Sequence, residues 1–196
     1  MSFKHNMAHH AKPLLRFIMS LFFEKKYLQG YHFDESLGGY VFGIKSIWQR
    51  SILRLAKPLP WPAAASCHVT NPRNIFFHPD DLNNFQSPGT YYQNFKAAIY
   101  IGRGTFIGPN VGIITANHQF DDLSKHELGK DVKIGEKCWI GMNSVLLPGV
   151  VLGNRSIVAA GSIVTKSFPA GNVVIGGVPA RVIKQLPLSQ TGNAGV

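Results

Sequence analysis

Acidic residues are scarce in this chain: ten Asp and Glu stand against twenty Lys and Arg in 196 residues, a formal charge of +10. Cysteine is scarcer, with only Cys67 and Cys138. Two such distant thiols build no disulfide framework and lack metal-ligand spacing, so a reducing, cytoplasmic setting is expected and no metal is. Long hydrophobic runs are also missing. The stretch FIMSLFF (17–23) is preceded by Arg16 and closed by Glu24, Lys25 and Lys26. It falls far short of the roughly 20 residues a bilayer span needs, and no small-residue cleavage site follows, so no secretory signal is expected. Nor do aromatic and basic residues interleave as in nucleic-acid modules, which excludes a nucleic-acid partner.

The positive charge instead points to a phosphorylated cosubstrate or an anionic membrane surface. It is uneven: residues 1–60 carry nine Lys/Arg against three Asp/Glu, and residues 61–196 eleven against seven. Residues 13–28 are expected to form a short helix entered through Pro13. Residues 41–56 form a clearer one, with Ile44, Ile47, Trp48, Ile52 and Leu55 on one face. Pro58, Pro60 and Pro62 end it. That apolar face is expected to pack on the domain or on a neighbouring subunit; the alternative is peripheral contact of residues 13–56 with the inner face of a membrane.

From Phe95 the chain falls into blocks of six: FKAAIY, IGRGTF, IGPNVG, IITANH and, after an interruption, IGEKCW, IGMNSV, LLPGVV, LGNRSI, VAAGSI, VTKSFP. An aliphatic residue opens every block but the first. The fifth slot is mostly small or β-branched (Thr105, Val111, Cys138, Ser144, Val150, Ser156, Ser162). A period of six fits neither a helix nor a simple strand, but it fits a parallel β-helix whose blocks are a short strand plus a bend. The opening aliphatic should point inward with the small fifth residue beside it, and the glycine that often fills the second slot should serve the bend. Val69 and Ile75 suggest a degenerate first coil, and Pro88-Gly89 a hairpin or loop at one end.

The rhythm breaks once. Ile113 and Ile134 are 21 residues apart, which counts as three blocks plus three residues. The intervening loop carries His118, Asp121, Asp122, His126 and Glu127. A loop on a rigid repeat is a common carrier of function. A histidine there can act as general base, its tautomer fixed by Asp121, Asp122 or Glu127.

Three segments, YYQNF, TANHQFDD and KIGEKCWIGMNSVLLPGVVLGNRSIVAAGSIVTKSFPAGNVVIGGVPARVIK, are similar to the hexapeptide-repeat acyltransferases. The nearest branch is the galactoside/maltose and polysaccharide O-acetyltransferases. The resemblance implies a mainly β, left-handed parallel β-helix over residues 63–184, with a catalytic loop at 114–133. A basic helical lobe (1–62) would precede it and a flexible tail (185–196) follow. It implies a homotrimer with sites between subunits, acetyl-CoA as donor and a saccharide hydroxyl as acceptor. On the same basis His118 is the base and Asn94 binds the acceptor, while Trp139, Met142, Ala160, Thr165, Lys166, Arg181 and Lys184 line the donor site. The acceptor-binding aspartate of the galactoside enzymes falls near Gly102 here, so the resemblance leaves the identity of the acceptor open. Competing readings are an amino-sugar N-acetyltransferase or serine acetyltransferase, a non-catalytic scaffold, and a β-helix carbonic anhydrase using His78, His118 and His126 as zinc ligands.

Overall fold

The structure is a computed structural model that describes residues 12–187. The expectation for the end of the tail therefore lies outside the described residues. The fold is mainly β and its strands pair in parallel across three sheets, with one antiparallel exception. The first sheet holds β1 (His68–Val69), β3 (Tyr91–Gln93), β6 (Gly112–Ile114), β9 (Val145–Leu146) and β12 (Ile163–Val164). The second holds β2 (Ile75–Phe76), β4 (Ile99–Ile101), β7 (Val132–Ile134) and β10 (Val151–Leu152). The third holds β5 (Phe106–Ile107), β8 (Trp139–Ile140), β11 (Ile157–Val158), β13 (Val173–Gly177) and β14 (Ala180–Gln185). From β4 to β12 the chain visits second, third and first sheet in rotation.

The register explains the sequence period. Ile101 pairs with Ile134 and that with Leu152; Ile107 with Ile140 and Val158; Ile113 with Leu146 and Val164. All nine are buried, and so are the small fifth-slot residues beside them. Each such side chain contributes roughly 1.5–3 kcal/mol by leaving water. Val69 starts the Ile113 stack through Tyr92, whereas Ile75 pairs with Ile99 and so heads the neighbouring row that continues to Val132.

The bend is built differently from the sequence expectation. The left-handed backbone falls on the fourth slot, at Gly104, Asn110, Lys137, Asn143, Gly149, Arg155 and Gly161. Second-slot glycines serve close approach instead. A Cβ on Gly102 would stand 2.4 Å from the Gly135 carbonyl carbon, and one on Gly153 2.2 Å from the Pro169 oxygen. Pro88-Gly89 makes a turn, but β3 enters the first sheet in parallel and no hairpin forms.

The loop insertion also differs from its expected count. Ile113 lies in the first sheet and Ile134 in the second, which is a single step of the rotation. One block accounts for six of the 21 residues, so fifteen are inserted and the chain re-enters in phase.

Before the repeat, helix α1 (12–19) is shorter than the predicted 13–28, and a separate turn of 3-10 helix covers Lys25–Tyr27. Helix α2 (Gly38–Ser46) starts earlier than predicted and continues as wider π-type turns over Ile47–Ile52. Its buried face is Gly39, Tyr40, Gly43, Ser46 and then Arg50, while Ile44, Trp48, Ile52 and Leu55 are exposed. Of the predicted apolar face only Ile47 packs on the core, half-buried; the other four point outward, contrary to the expected packing within the domain. Gly43 lets α1 come close: a Cβ there would meet the Met19 sulfur at 2.8 Å. Arg50 is buried without a carboxylate, its guanidinium donating to the carbonyls of Lys57, Ala63, Ala64 and Cys67. Charge-assisted bonds of this kind fix α2 on the segment that leads into β1.

A second clamp joins lobe and repeat. Asp80 accepts from the Tyr31 N–H at 2.8 Å and from Arg103 at 2.7 Å, while Asn84 bonds Thr105 and Ile107 over the end of the stacks. The Tyr31 N–H, and then Arg103, hold the Asp80 carboxyl below the usual carboxylate range. A lowered folded value means stability that is present above the unfolded pKa of about 3.9 and is lost as pH falls through the folded value. Asp80→Ala should cost about 1–2 kcal/mol in urea unfolding at pH 7, and the gap from wild type should close in acid. The cysteines give a second expectation. Burial pushes Cys67 up to about 11 and raises Cys138 as well. Neither thiol should react with Ellman's reagent in the native protein, and both should react in denaturant.

Candidate active site

The inserted loop is held at its root by Gln93, the residue before Asn94. The Gln93 side-chain oxygen accepts from the N–H groups of Thr115 (3.0 Å) and Ala116 (3.1 Å), and its amide donates to the Ala116 carbonyl at 3.0 Å. Beyond the root the loop folds on itself. Glu127 N–H bonds the Asn117 carbonyl at 2.9 Å, Gln119 N–H bonds that of Lys125 at 3.0 Å, and His118 and His126 form an antiparallel bridge.

This geometry fixes the His118 ring. Its Nδ1 lies 2.7 Å from the Leu123 carbonyl oxygen, which can only accept. Nδ1 therefore carries the proton in the neutral ring and Nε2 keeps its lone pair free, as a general base requires. No carboxylate orients it. Asp122, the best placed in sequence, is engaged by Ser124 and by Lys125 at 2.9 Å. The sequence could not reveal the Leu123 carbonyl, because any residue supplies one.

His126 is the neighbour that sequence reasoning undervalued. Its ring centroid lies 4.2 Å from that of His118 and 4.8 Å from that of Phe95. Desolvation, then the proximity of His118 and Lys96, push its pKa down. His78, the third histidine of the zinc alternative, is engaged elsewhere, accepting from the Asp80 N–H at 3.2 Å. Among the described residues no three His, Cys, Asp or Glu side chains gather as a metal site.

Asn94 is fully buried and its amide is occupied. The oxygen accepts from Thr70 Oγ1 and the Asn71 N–H, both at 2.9 Å, and the nitrogen donates to the Asn71 carbonyl. An acceptor could reach this amide only by displacing one of these partners.

Three of the predicted donor-site residues do come together. Trp139, Met142 and Ala160 line a groove of about 360 Å³ with Gly108, Pro109 and Gly141. The groove follows the ends of β5, β8 and β11, at the corner where the third sheet gives way to the first. Trp139 is 58% exposed beside it. Thr165 and Lys166 follow β12, and Arg181 and Lys184 lie on β14; all four are exposed, and none of these three cations meets a carboxylate among the described residues. His118, by contrast, stands on the loop that leaves the corner between the first and second sheets.

Residues 131–166 match the family model described as bacterial transferase hexapeptide (six repeats). Galactoside O-acetyltransferase of Escherichia coli is 38% identical over 117 residues, 53% of this chain and 55% of that protein. Nodulation protein L of Rhizobium meliloti is 42% identical over 115 residues, 54% of this chain and 62% of that protein. A solved maltose O-acetyltransferase from Clostridium difficile is 35% identical, with a TM-score of 0.48 over 59% of this chain and 57% of that one. The chain spans about half the length of the curated relatives it matches. The matched residues include the stacked Ile134, Ile140, Leu146, Leu152, Val158 and Val164, and the relatives similar to this chain include galactoside O-acetyltransferases.

Proposed function

We propose that this protein is an acetyl-CoA-dependent O-acetyltransferase that acetylates a saccharide hydroxyl, on a left-handed parallel β-helix assembled as a homotrimer. The observation that carries the reading is the His118 ring, tethered at Nδ1 by the Leu123 carbonyl with Nε2 free on a loop inserted without disturbing the repeat. The rotation of strands through three sheets supports the β-helix, and the names of the relatives support the reaction class.

The placement of the corners supports assembly of more than one copy. The apolar groove and the His118 loop leave different edges of the same chain, so a second copy is the simplest way to bring a base to the groove. Trp139, Met142 and Ala160 would flank the thin pantetheine arm, beside the backbone of Gly108 and Gly141. Lys166, Arg181 and Lys184 would meet the phosphates of the donor, and Thr165, which follows β12, would line its path as the resemblance implies. The acceptor is read as a saccharide hydroxyl, such as one in a surface-polysaccharide precursor, from the names of the relatives alone. Asn94 acts as a brace for Phe95 and the loop root.

In the reaction His118 Nε2 takes the proton of the acceptor hydroxyl as its oxygen attacks the thioester carbonyl. Backbone N–H groups at the groove stabilise the oxyanion. The C–S bond then breaks, and the same ring returns the proton to the leaving thiolate sulfur. No nucleophilic cysteine is needed: Cys138 is buried, its thiol directed at the Gly153 carbonyl at 3.3 Å.

Thiol release should be measured from acetyl-CoA against mono-, oligo- and nucleotide-linked sugars, amino sugars and serine. Release that requires a sugar hydroxyl is expected; release only with an amine or with serine would reassign the class. His118→Ala should lower kcat by about 10²–10⁴ and leave acetyl-CoA binding by calorimetry intact. Retained activity would remove His118 as the base. Gln93→Ala should lower kcat about tenfold or more with little change in donor binding, because it frees the loop root rather than the groove. An unchanged kcat would mean that the loop is positioned by its own internal bonds alone.

A further inference from the structure

The N-terminal lobe buries a core of Met19, Phe23, Phe33 and Tyr40, yet it also turns a second apolar face outward. The side of α2 turned toward the protein carries Gly39, Tyr40, Gly43, Ser46 and, in the π-type turns, Arg50, all buried, with Ile47 half-buried beside them. The opposite side carries Val41, Ile44, Trp48 and Ile52, which recur at helical spacing and are exposed at 61%, 55%, 54% and 58%. Helix α1 does the same: Met19 is buried against Gly43, while Leu14 and Phe17 are exposed, as are Leu21 and Phe22 just beyond it. A water-facing helix pair would reverse this arrangement. Small residues at the helix–helix contact and bulky apolar ones outside are the pattern of helices that face lipid.

The unpaired charges around the pair are mostly positive. Asp34 is taken by Arg16 at 2.7 Å and Glu24 by Lys26 at 2.8 Å. Lys25, Lys45, Arg54 and Lys57 have no acidic partner among the described residues, and Glu35 is the one acid of the lobe without a basic one. Neither helix can cross a bilayer: eight and nine residues span about 12 and 14 Å against a hydrocarbon core of roughly 30 Å. No helix among the described residues is long and apolar enough to do so.

We propose that the outward face of α1 and α2 docks flat on an anionic lipid bilayer, with Phe17, Val41, Ile44 and Trp48 entering the headgroup–acyl boundary and Lys25, Lys45, Arg54 and Lys57 meeting lipid phosphates. The occupant is chosen by the charge: a second copy of this basic lobe would bring like charges together, whereas an anionic surface neutralises them. The inference does not depend on the acetyltransferase reading, because it uses no residue of the loop or groove.

The test is co-sedimentation of the full chain with vesicles of phosphatidylcholine alone and of phosphatidylcholine mixed with phosphatidylglycerol. Binding to the mixed vesicles is expected, weak or absent on the neutral ones and weakened by salt. Phe17→Ser combined with Trp48→Ser should lower partitioning at least about tenfold, and Trp48→Phe should retain most of it. Lys45→Glu with Lys57→Glu should remove the preference for anionic lipid. Circular dichroism and thiol release with a water-soluble acceptor should match wild type in all of these variants. Failure to bind the mixed vesicles, or equal binding by the double serine variant, would overturn the proposal. So would a fall in sedimentation mass of that variant, which would give the face to a second copy.

Discussion

One constraint governs the molecule: each inward aliphatic residue of the repeat must land on its equivalent one coil below. Ile107, Ile140 and Val158 satisfy it in one sheet, and Ile113, Leu146 and Val164 in another. A one-residue slip would turn an entire strand's side chains from core to solvent. The remaining features of the repeat follow from it. The corners need a left-handed residue at a fixed place, which the chain supplies even with Lys137 and Arg155. Neighbouring corners must nearly touch, so positions such as Gly102 have no room for a Cβ. An insertion is tolerated only at a corner and only if it returns in phase, which is how the fifteen extra residues before Ile134 are accommodated.

That freedom at the corner is what the site uses. The loop is too short to build a core, so its order comes from hydrogen bonds: Gln93 at the root, a ladder of backbone pairs above it, and the Leu123 carbonyl on the His118 ring. The second histidine is consistent with this economy. A protonated His126 4.2 Å from His118 would oppose the uptake of a proton there, by Coulomb repulsion that is appreciable even at a surface. Desolvation and then its neighbours His118 and Lys96 push the His126 pKa down, which disfavours the charged form beside His118. Phe95, packed edge-on against it, contributes to that desolvation without adding charge.

What was legible in the sequence was whatever is expressed as spacing. Six-residue periodicity identified the inward residues, the small partners beside them and the place where the loop leaves, and Cys138 fell in the core as its slot required. The glycines were assigned the wrong task, since composition alone does not separate a residue needed for its φ from one needed for its missing Cβ. The loop's phase is not legible in the spacing, because a residue count does not say which sheet the chain rejoins. His118 stood out, but its orienting partner is a backbone oxygen and carries no side-chain signature. In the lobe, periodicity gave the apolar face of α2 correctly but not its direction. Helical spacing defines two opposite faces, and the choice between them was made by Gly39, Gly43 and Arg50 rather than by Ile44 and Trp48.

The lobe matters to the site only if it is rigidly attached to the repeat, and it is. Arg50 ties α2 to four carbonyls ahead of β1, and Asp80 ties the backbone at Tyr31 to Arg103 in the coil. Gly30 is pressed so closely on Asp80 that a Cβ there would lie 2.3 Å from its carboxylate oxygen. Any surface that captures α1 and α2 therefore sets the direction of the stacked sheets as well. A loosely tethered lobe would concentrate the protein near such a surface but leave the loop free to face any way. A clamped lobe fixes which corner of the coil is turned toward the surface and which toward water. Affinity of the lobe and accessibility of the His118 loop are then one geometric property, coupled through Asp80.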